Sequence, residues 1–156
     1  MKLALFGVGN AGTRIVDRLV AAETQTGRLL TEGNVLVFNT TPSTFDAVEH
    51  IDDERQILVG DTHPDVVAPD SDGKQEADPE RREGVAGDPE LGASVAQEDL
   101  PEIRRALDMV DDTEVDAALI VAGVGGGTGC GVGGVLLDEL QSIYEIPVYV
   151  LGVLPT

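Results

Sequence analysis

Gly123-Val124-Gly125-Gly126-Gly127-Thr128-Gly129-Cys130-Gly131 stands between an apolar run typical of a strand and the apolar pattern of a helix. Glycines let backbone N–H groups approach an anion closely, and a helix that begins there directs the positive end of its dipole at the same point. Each glycine also raises the entropy lost on folding, so packing alone does not explain so many in succession. The stretch therefore predicts a phosphate-binding loop rather than a flexible surface turn.

Strand and helix patterns alternate on either side of this loop. Helices are predicted after the first strand, over 42–50, from Pro101 onward and after the glycine stretch, with apolar residues at helical spacing. Such alternation, with crossovers of helical length, is typical of a mostly parallel sheet with helices on both faces, a Rossmann-like α/β fold. Strands are predicted over 3–6, 34–39, 56–60, 116–122 and 146–154.

The chain length of 156 residues suits one domain, which we predict over 1–156. Residues 61–86 depart from the pattern because they are rich in proline and charge and poor in apolar side chains. We interpret 61–86 as a mobile acidic insertion that acts as a solvated linker.

The charge balance is extreme, with 29 acidic against 10 basic residues and a net charge of -19. Either the protein has an acidic interaction surface, or it works at molar salt, where the repulsion is screened. Because the acidic residues are spread along the chain, we favour a halophilic source and expect folding to need high salt. An anionic surface without a basic patch disfavours nucleic acid as a partner.

Two further features bear on the cellular compartment. The single cysteine, Cys130, excludes an intramolecular disulfide and agrees with a reducing environment. The apolar run at the amino terminus is too short for a signal peptide or a membrane span. We therefore expect a cytoplasmic protein without a membrane span.

A second glycine pattern, Gly7, Gly9 and Gly12, satisfies G-x-G-x-x-G between the first strand and a helix. A dinucleotide-binding oxidoreductase would add an acidic residue at the end of the second strand, where this chain has Asn39. A P-loop would need a lysine after its glycines, and Lys2 and Lys74 are misplaced. The oxidoreductase stays as an alternative, but two glycine loops at the carboxyl ends of parallel strands favour one shared polyphosphate.

The glycine loops also carry a resemblance to a known family. Gly126-Gly127-Thr128-Gly129-Cys130-Gly131 is similar to the tubulin/FtsZ signature G-G-T-G-[ST]-G, and the Gly7 to Gly12 stretch resembles the first phosphate loop of that family. Phe38-Asn39-Thr40 looks like its second loop, Asp88 to Gly92 like its third, and Tyr149 to Pro155 like its fifth strand. The likeness extends to the archaeal tubulin-like CetZ proteins, many of them from salt-loving archaea.

The resemblance implies a self-assembling cytoskeletal protein that binds GTP or GDP, with Mg²⁺ held mainly by phosphates and water. By position, Asn10 to Arg14 would line the α- and β-phosphates, with Arg14 adding a positive charge, and Asp88 and Glu90 would lie near the γ-phosphate. No residue is assigned to catalysis or to a metal. The predicted nucleotide-binding residues are Gly9, Asn10, Ala11, Gly12, Thr13, Arg14, Asn39, Asp88, Glu90, Gly126, Gly127, Thr128, Gly129 and Cys130.

The chain departs from the family pattern in two places. Cys130 replaces Ser or Thr, and because a thiol is a poor donor we interpret it as a small apolar filler at the helix start. By resemblance, the residues for ribose and guanine and the loop that activates hydrolysis follow the fifth strand, beyond Thr156, so GTPase activity is left open. The alternative is a truncated, non-catalytic module that self-associates, or caps or regulates full-length relatives.

Other polar and aromatic residues receive structural interpretations. The carboxylates of Asp111 to Asp116 are typical of a solvated turn. We expect His50 and His63 to be exposed, and Tyr144 and Tyr149 to pack rather than to stack on a base.

Overall fold

The computed structural model describes residues 1–63, 66, 84–85 and 87–155. Within these residues one sheet has the strand order β3-β2-β1-β4-β5, and every neighbouring pair is parallel. The predicted parallel α/β fold is therefore confirmed. The strands are β1 (Leu3–Val8), β2 (Val35–Asn39), β3 (Gln56–Leu58), β4 (Ala117–Gly123) and β5 (Val148–Val153).

The helices connect these strands. A π-helical turn, Thr128–Val132, runs directly into α4, so the glycine stretch forms the first turn of that helix, as predicted. The predicted helix over 42–50 is instead a 3₁₀ helix, Pro42–Ala47, and a second 3₁₀ turn, Asp53–Arg55, precedes β3. The α-helices are α1 (Gly9–Thr26), α2 (Pro89–Glu98), α3 (Leu100–Leu107) and α4 (Gly133–Ile143).

Two apolar cores lie on opposite faces of the sheet because successive side chains of a strand alternate. Phe6 packs in the larger core with Leu107 and Leu136 from the helices α3 and α4. Leu5, its neighbour in β1, packs in the smaller core with Val16 of α1. The expected helices on both faces are therefore present.

The register of the strands brings three carboxyl ends to one edge of the sheet. Val8, the last residue of β1, lies beside Phe38 of β2 and Ala122 of β4. The loops that follow β1, β2 and β4 therefore leave the sheet side by side, which is where ligands bind in open α/β sheets.

Helix α2 was not predicted from the sequence. Asp88 caps it by accepting hydrogen bonds from Glu90 N at 3.0 Å and Leu91 N at 3.2 Å. The helix packs closely on the glycine loop, since a Cβ on Gly92 would overlap the carbonyl oxygen of Gly127 and a Cβ on Gly131 would lie 2.6 Å from Ala93 N. These small residues obscure the apolar stripe by which a helix is recognised in a sequence.

Residues 61–86 lie largely outside the described residues. Of those described, Val85 is buried in the larger core and Val66 packs against it. The ends of the predicted insertion therefore contribute to the fold.

Several predicted side-chain placements differ from the structure. Tyr144 is buried, and its hydroxyl donates to Leu107 O at 3.0 Å, as expected for a packing role. Tyr149 is 59% exposed and lies outside both apolar cores, and Ile143 at the end of α4 is 44% exposed. The side chain of His63 is 10% exposed, so the expectation of an exposed histidine was wrong there, whereas His50 is exposed.

Candidate functional site

A cleft of about 710 Å³ opens at the carboxyl ends of β1, β2, β4 and β5. Its walls come from the loops that follow these strands, together with the segment before α2. The lining residues are Val8, Gly9, Asn10, Ala11, Asn39, Thr40, Thr41, Val85, Gly87, Gly123, Val124, Gly125, Gly126, Gly127, Thr128, Gly129, Val153, Leu154 and Pro155.

Two helix starts meet in this cleft. Helix α1 begins at Gly9, whose φ of +75° is a left-handed conformation that favours glycine. A Cβ on Gly9 would lie 3.2 Å from Gly129 N, so the first loop and the glycine loop approach each other closely. The N-cap residues of α1 and of the turn that begins at Thr128 are Val8 and Gly127, and neither caps its helix with a side-chain hydrogen bond. The N–H groups of both first turns, with their positive dipole ends, therefore point to one region.

The glycine loop is held by contacts that leave no room for side chains. A Cβ on Gly129 would overlap the carbonyl oxygen of Gly123 at the end of β4. A Cβ on Gly127 would lie 2.6 Å from Asp88 N. The glycines thus allow β4, the π-helical turn and the start of α2 to lie within backbone contact distance.

Cys130 is exposed, so its interpretation as a small apolar filler at the helix start was wrong. Its Sγ accepts a hydrogen bond from Gly125 N at 3.3 Å, and its own N–H donates to Gly126 O at 3.1 Å. The residue therefore closes the glycine loop on itself, and its side chain does not line the cleft.

The segment just before the third loop borders the cleft, but the third loop itself does not. Gly87 lines the cleft, whereas the exposed side chains of Asp88 and Glu90 do not. Asp88 is occupied as the cap of α2. A role for either carboxylate near a γ-phosphate stays a prediction.

Polar side chains join the second loop to the other two. Asn39 Nδ2 donates to Asn10 Oδ1 at 2.8 Å, which also accepts from Thr44 Oγ1 at 2.7 Å. Thr40 Oγ1 lies 2.8 Å from Thr128 Oγ1. Thr40 was placed in the second loop but not among the predicted binding residues, and Thr41 was missed; their position directly after Asn39, at the end of β2, is a signal that points to both.

Three of the predicted binding residues in α1, namely Gly12, Thr13 and Arg14, lie outside the cleft lining. Gly12 is buried, and a Cβ there would overlap the carbonyl oxygen of Val121, so this glycine lets α1 pack on β4. Thr13 is fully buried, and its hydroxyl has no hydrogen-bond partner among the described residues.

Arg14 lines a different cleft, of about 580 Å³, with Asp17, Arg18 and His50. Asp17 is buried there and accepts hydrogen bonds from His50 N at 2.8 Å and Glu49 N at 3.2 Å. The structure therefore does not bring the guanidinium of Arg14 to the cleft at the strand ends.

The main cleft carries no ionisable side chain among its described lining residues. Its polar groups are backbone amides, the amides of Asn10 and Asn39, and threonine hydroxyls. An anion in this cleft would be held by hydrogen bonds and helix dipoles rather than by a lysine or arginine.

Comparison with known proteins agrees with this geometry. The family model described as Tubulin/FtsZ family, GTPase domain, matches residues 2–156. The chain is 37% identical over its whole length to the tubulin-like protein CetZ4 of Haloferax volcanii, and 39% identical over 99% of its length to CetZ3 of the same organism. It spans 35% and 36% of those two proteins, about a third of their length.

Two solved structures are similar to the whole described fold. CetZ1 from Haloferax volcanii, a GDP-bound monomer, superposes with a TM-score of 0.84 at 34% identity, covering 99% of this chain and 42% of that one. CetZ2 from the same organism, a GTPγS-bound protofilament, gives 0.78 at 33% identity, covering 97% of this chain and 39% of that one.

Among the helices that the structure describes, none has the length and apolar character needed to cross a membrane. The match of the family model over residues 2–156 carries the family assignment. The chain belongs to the tubulin/FtsZ family.

Proposed function

We propose that this chain binds GTP or GDP through the phosphates, in the cleft at the carboxyl ends of the strands. The observation that supports this most directly is the approach of Gly9 to Gly129, which brings two uncapped helix starts to one place. A chain of polyphosphate oxygens offers the acceptors that such a cluster of N–H groups needs.

The lining residues also indicate how the cleft could hold the Mg²⁺ that accompanies such nucleotides. No carboxylate lies in the described lining of the cleft. Hard divalent cations prefer oxygen ligands, and Mg²⁺ commonly keeps several waters and binds to phosphates. The residues therefore fit a Mg²⁺ held mainly by phosphate oxygens and water, where it would neutralise charge that no lysine or arginine of the lining offsets.

We further propose that the chain assembles with copies of itself or with relatives in the cytoplasm of an archaeal cell, and that this assembly influences cell shape. The GTPγS-bound protofilament of CetZ2 supports self-association or co-assembly with full-length relatives. The net charge of -19 suits a cytoplasm with molar salt.

A second candidate is a non-catalytic module that caps or regulates full-length relatives. The apolar side chains of Tyr149, Val150 and Leu151 along β5 are 59, 51 and 48% exposed, and such a strip favours association. Native mass spectrometry at several protein concentrations tests this candidate, since a stable monomer at all of them would oppose it.

Thermal unfolding of the purified chain in molar KCl with Mg²⁺ tests nucleotide binding. GTP and GDP should each raise the unfolding midpoint, and NAD should not. Thr128→Val should reduce the shift, whereas Thr24→Val, at an exposed position of α1, is the matched control and should leave it unchanged. Equal shifts with NAD and GTP, or none with either nucleotide, would contradict the proposal.

A further inference from the structure

We propose that Asn39 and Thr40 are positioning residues, which fix the side chains of Asn10 and Thr128 so that both present protons, and not lone pairs, to the cleft. This inference rests on the proposed function, and it explains how a cleft without a basic residue favours an oxyanion. Neither Asn39 nor Thr40 needs to touch the ligand for this role.

The orientation of Asn39 follows from backbone groups whose roles are unambiguous. Its Oδ1 accepts from Thr40 N at 2.8 Å and from Thr41 N at 3.3 Å. Because a backbone N–H can only donate, this side-chain atom is the oxygen, and the other is the nitrogen. The amide is 1% exposed and held by three hydrogen bonds, so it cannot turn over without losing them.

The orientation of Asn10 follows from that of Asn39. The Asn39 amide nitrogen donates at 2.8 Å, so the atom of Asn10 that it meets is the oxygen. That oxygen also accepts from Thr44 Oγ1 at 2.7 Å, which occupies both of its lone pairs. The Asn10 NH₂ group has no partner among the described residues, and Asn10 is an exposed residue of the cleft lining. It therefore offers donors only.

The same reasoning fixes the hydroxyl of Thr128. Thr40 Oγ1 is buried and accepts from Val85 N at 3.3 Å. If it also accepted from Thr128, its own proton would have no acceptor among the described residues, and a buried donor without a partner is costly. Thr40 therefore donates to Thr128 Oγ1 across the 2.8 Å contact. The proton of Thr128 is then free to point into the cleft.

The consequence is that the cleft favours ligand groups that accept hydrogen bonds over groups that can only donate them. With both side chains fixed as donors, and the N–H groups of two helix starts beside them, the described polar groups around this part of the cleft favour phosphate oxygens. A ligand group that can only donate, such as a protonated amine, would face donors and lose its hydrogen bonds.

The decisive test is a double-substitution cycle on nucleotide affinity, measured by calorimetry with GDP and Mg²⁺ in molar KCl. Thr40→Val should weaken GDP binding by about ten-fold, because the Thr128 hydroxyl is no longer held with its proton toward the phosphate, and one hydrogen bond to a charged acceptor has about that worth. Thr40→Ser keeps the hydroxyl and should restore affinity. In a chain that already carries Thr128→Val, the Thr40→Val change should cost nothing further.

The outcomes separate the two proposals. If the parent chain does not bind GDP, the proposed function fails. If the parent binds and Thr40→Val binds equally well, or if its loss persists unchanged in the Thr128→Val background, the positioning role is overturned. The unfolding midpoint without nucleotide, measured on each variant, identifies any that fails to fold.

A ligand-free measurement tests the orientation by itself. In NMR spectra of the unliganded chain, the Thr40 hydroxyl proton and the Asn39 side-chain amide protons should exchange slowly with water, because they are buried and bonded. The Asn10 amide protons and the Thr128 hydroxyl proton should exchange fast. A protected Thr128 hydroxyl proton beside a freely exchanging Thr40 proton would overturn the inference even if no nucleotide binds.

Discussion

Replacing Gly129 by alanine should damage both the fold and the nucleotide site. The added Cβ would overlap the carbonyl oxygen of Gly123 and lie 3.2 Å from the backbone nitrogen of that residue. These are backbone atoms, so relief requires the π-helical turn to move away from the end of β4. The same movement would separate Gly129 from Gly9 and open the cleft.

The magnitude follows from two opposing terms. Overpacking against backbone lowers the free energy of unfolding by about 3 kcal/mol, and the reduced conformational entropy of the unfolded chain raises it by about 1 kcal/mol. The net loss of about 2 kcal/mol lowers the unfolding midpoint of a domain of this size by about 4–8 °C. Gly134→Ala is the matched control, since nothing lies within 4 Å of its Cβ position in the same helix. That control should raise the midpoint by about 2–4 °C.

Circular dichroism melts with and without GDP measure both effects. We expect Gly129→Ala to melt lower and to gain less from GDP than the parent chain, and Gly134→Ala to melt higher with the full gain. If Gly129→Ala melted at the parent temperature and kept the GDP shift, the close approach of the two loops would not be what builds the site.

Three further predictions address the cleft, the core and the charge. Without nucleotide, Gly126→Ala should unfold within about 2 °C of the parent chain, because no atom lies within 4 Å of its Cβ position. The added methyl group should crowd the cleft wall and so reduce the rise in unfolding midpoint that GDP produces. An undiminished rise would argue against phosphate contact at Gly126. Tyr144→Phe should cost about 1 kcal/mol in the free energy of unfolding, seen in urea titrations, because the Leu107 carbonyl loses its partner. Burial, and then the charges of Asp112 and Asp108, raise the pKa of the Tyr144 phenol above its ordinary value of 10.0, so the folded chain holds this proton more tightly than the unfolded one. Stability from this group is full below pH 10.0 and declines as pH rises above it, so Tyr144→Phe should flatten the alkaline loss of stability; an equal slope in both chains would contradict the assignment. The unfolding midpoint of the parent chain should rise steeply from dilute buffer to molar KCl, because salt screens the net charge of -19. Full folding with unchanged stability in dilute buffer would contradict the halophilic interpretation.

Much of the fold was predictable because buried parallel strands are continuous apolar runs. The run of Val35 to Phe38, for example, predicts β2, and all four side chains are buried. Helix α2 could not be predicted, because its small residues serve contacts with the glycine loop that only the tertiary structure shows. The π-helical form of the turn at Thr128 depends on the same contacts.

The backbone part of the candidate site could be predicted from the sequence, but several of its side-chain positions could not. The loops around Gly9 and Gly129 follow from glycine spacing, since glycine patterns at strand ends have few other purposes. Arg14 was placed at the phosphates because it follows the first loop in sequence, but it lies one helical turn beyond Asn10 along α1 and lines the second cleft instead. Thr40 and its contact with Thr128, 88 residues away, depend on a pairing of strands that sequence spacing does not give.

A crystal structure of the chain with a guanosine nucleotide and Mg²⁺ tests the central claim most directly. Our account predicts that the phosphate groups accept hydrogen bonds from backbone N–H groups of both the Gly9 to Ala11 turn and the Gly126 to Gly129 turn. Phosphates bound instead beside Arg14 and Arg18 in the second cleft, or contacting one glycine loop alone, would contradict it.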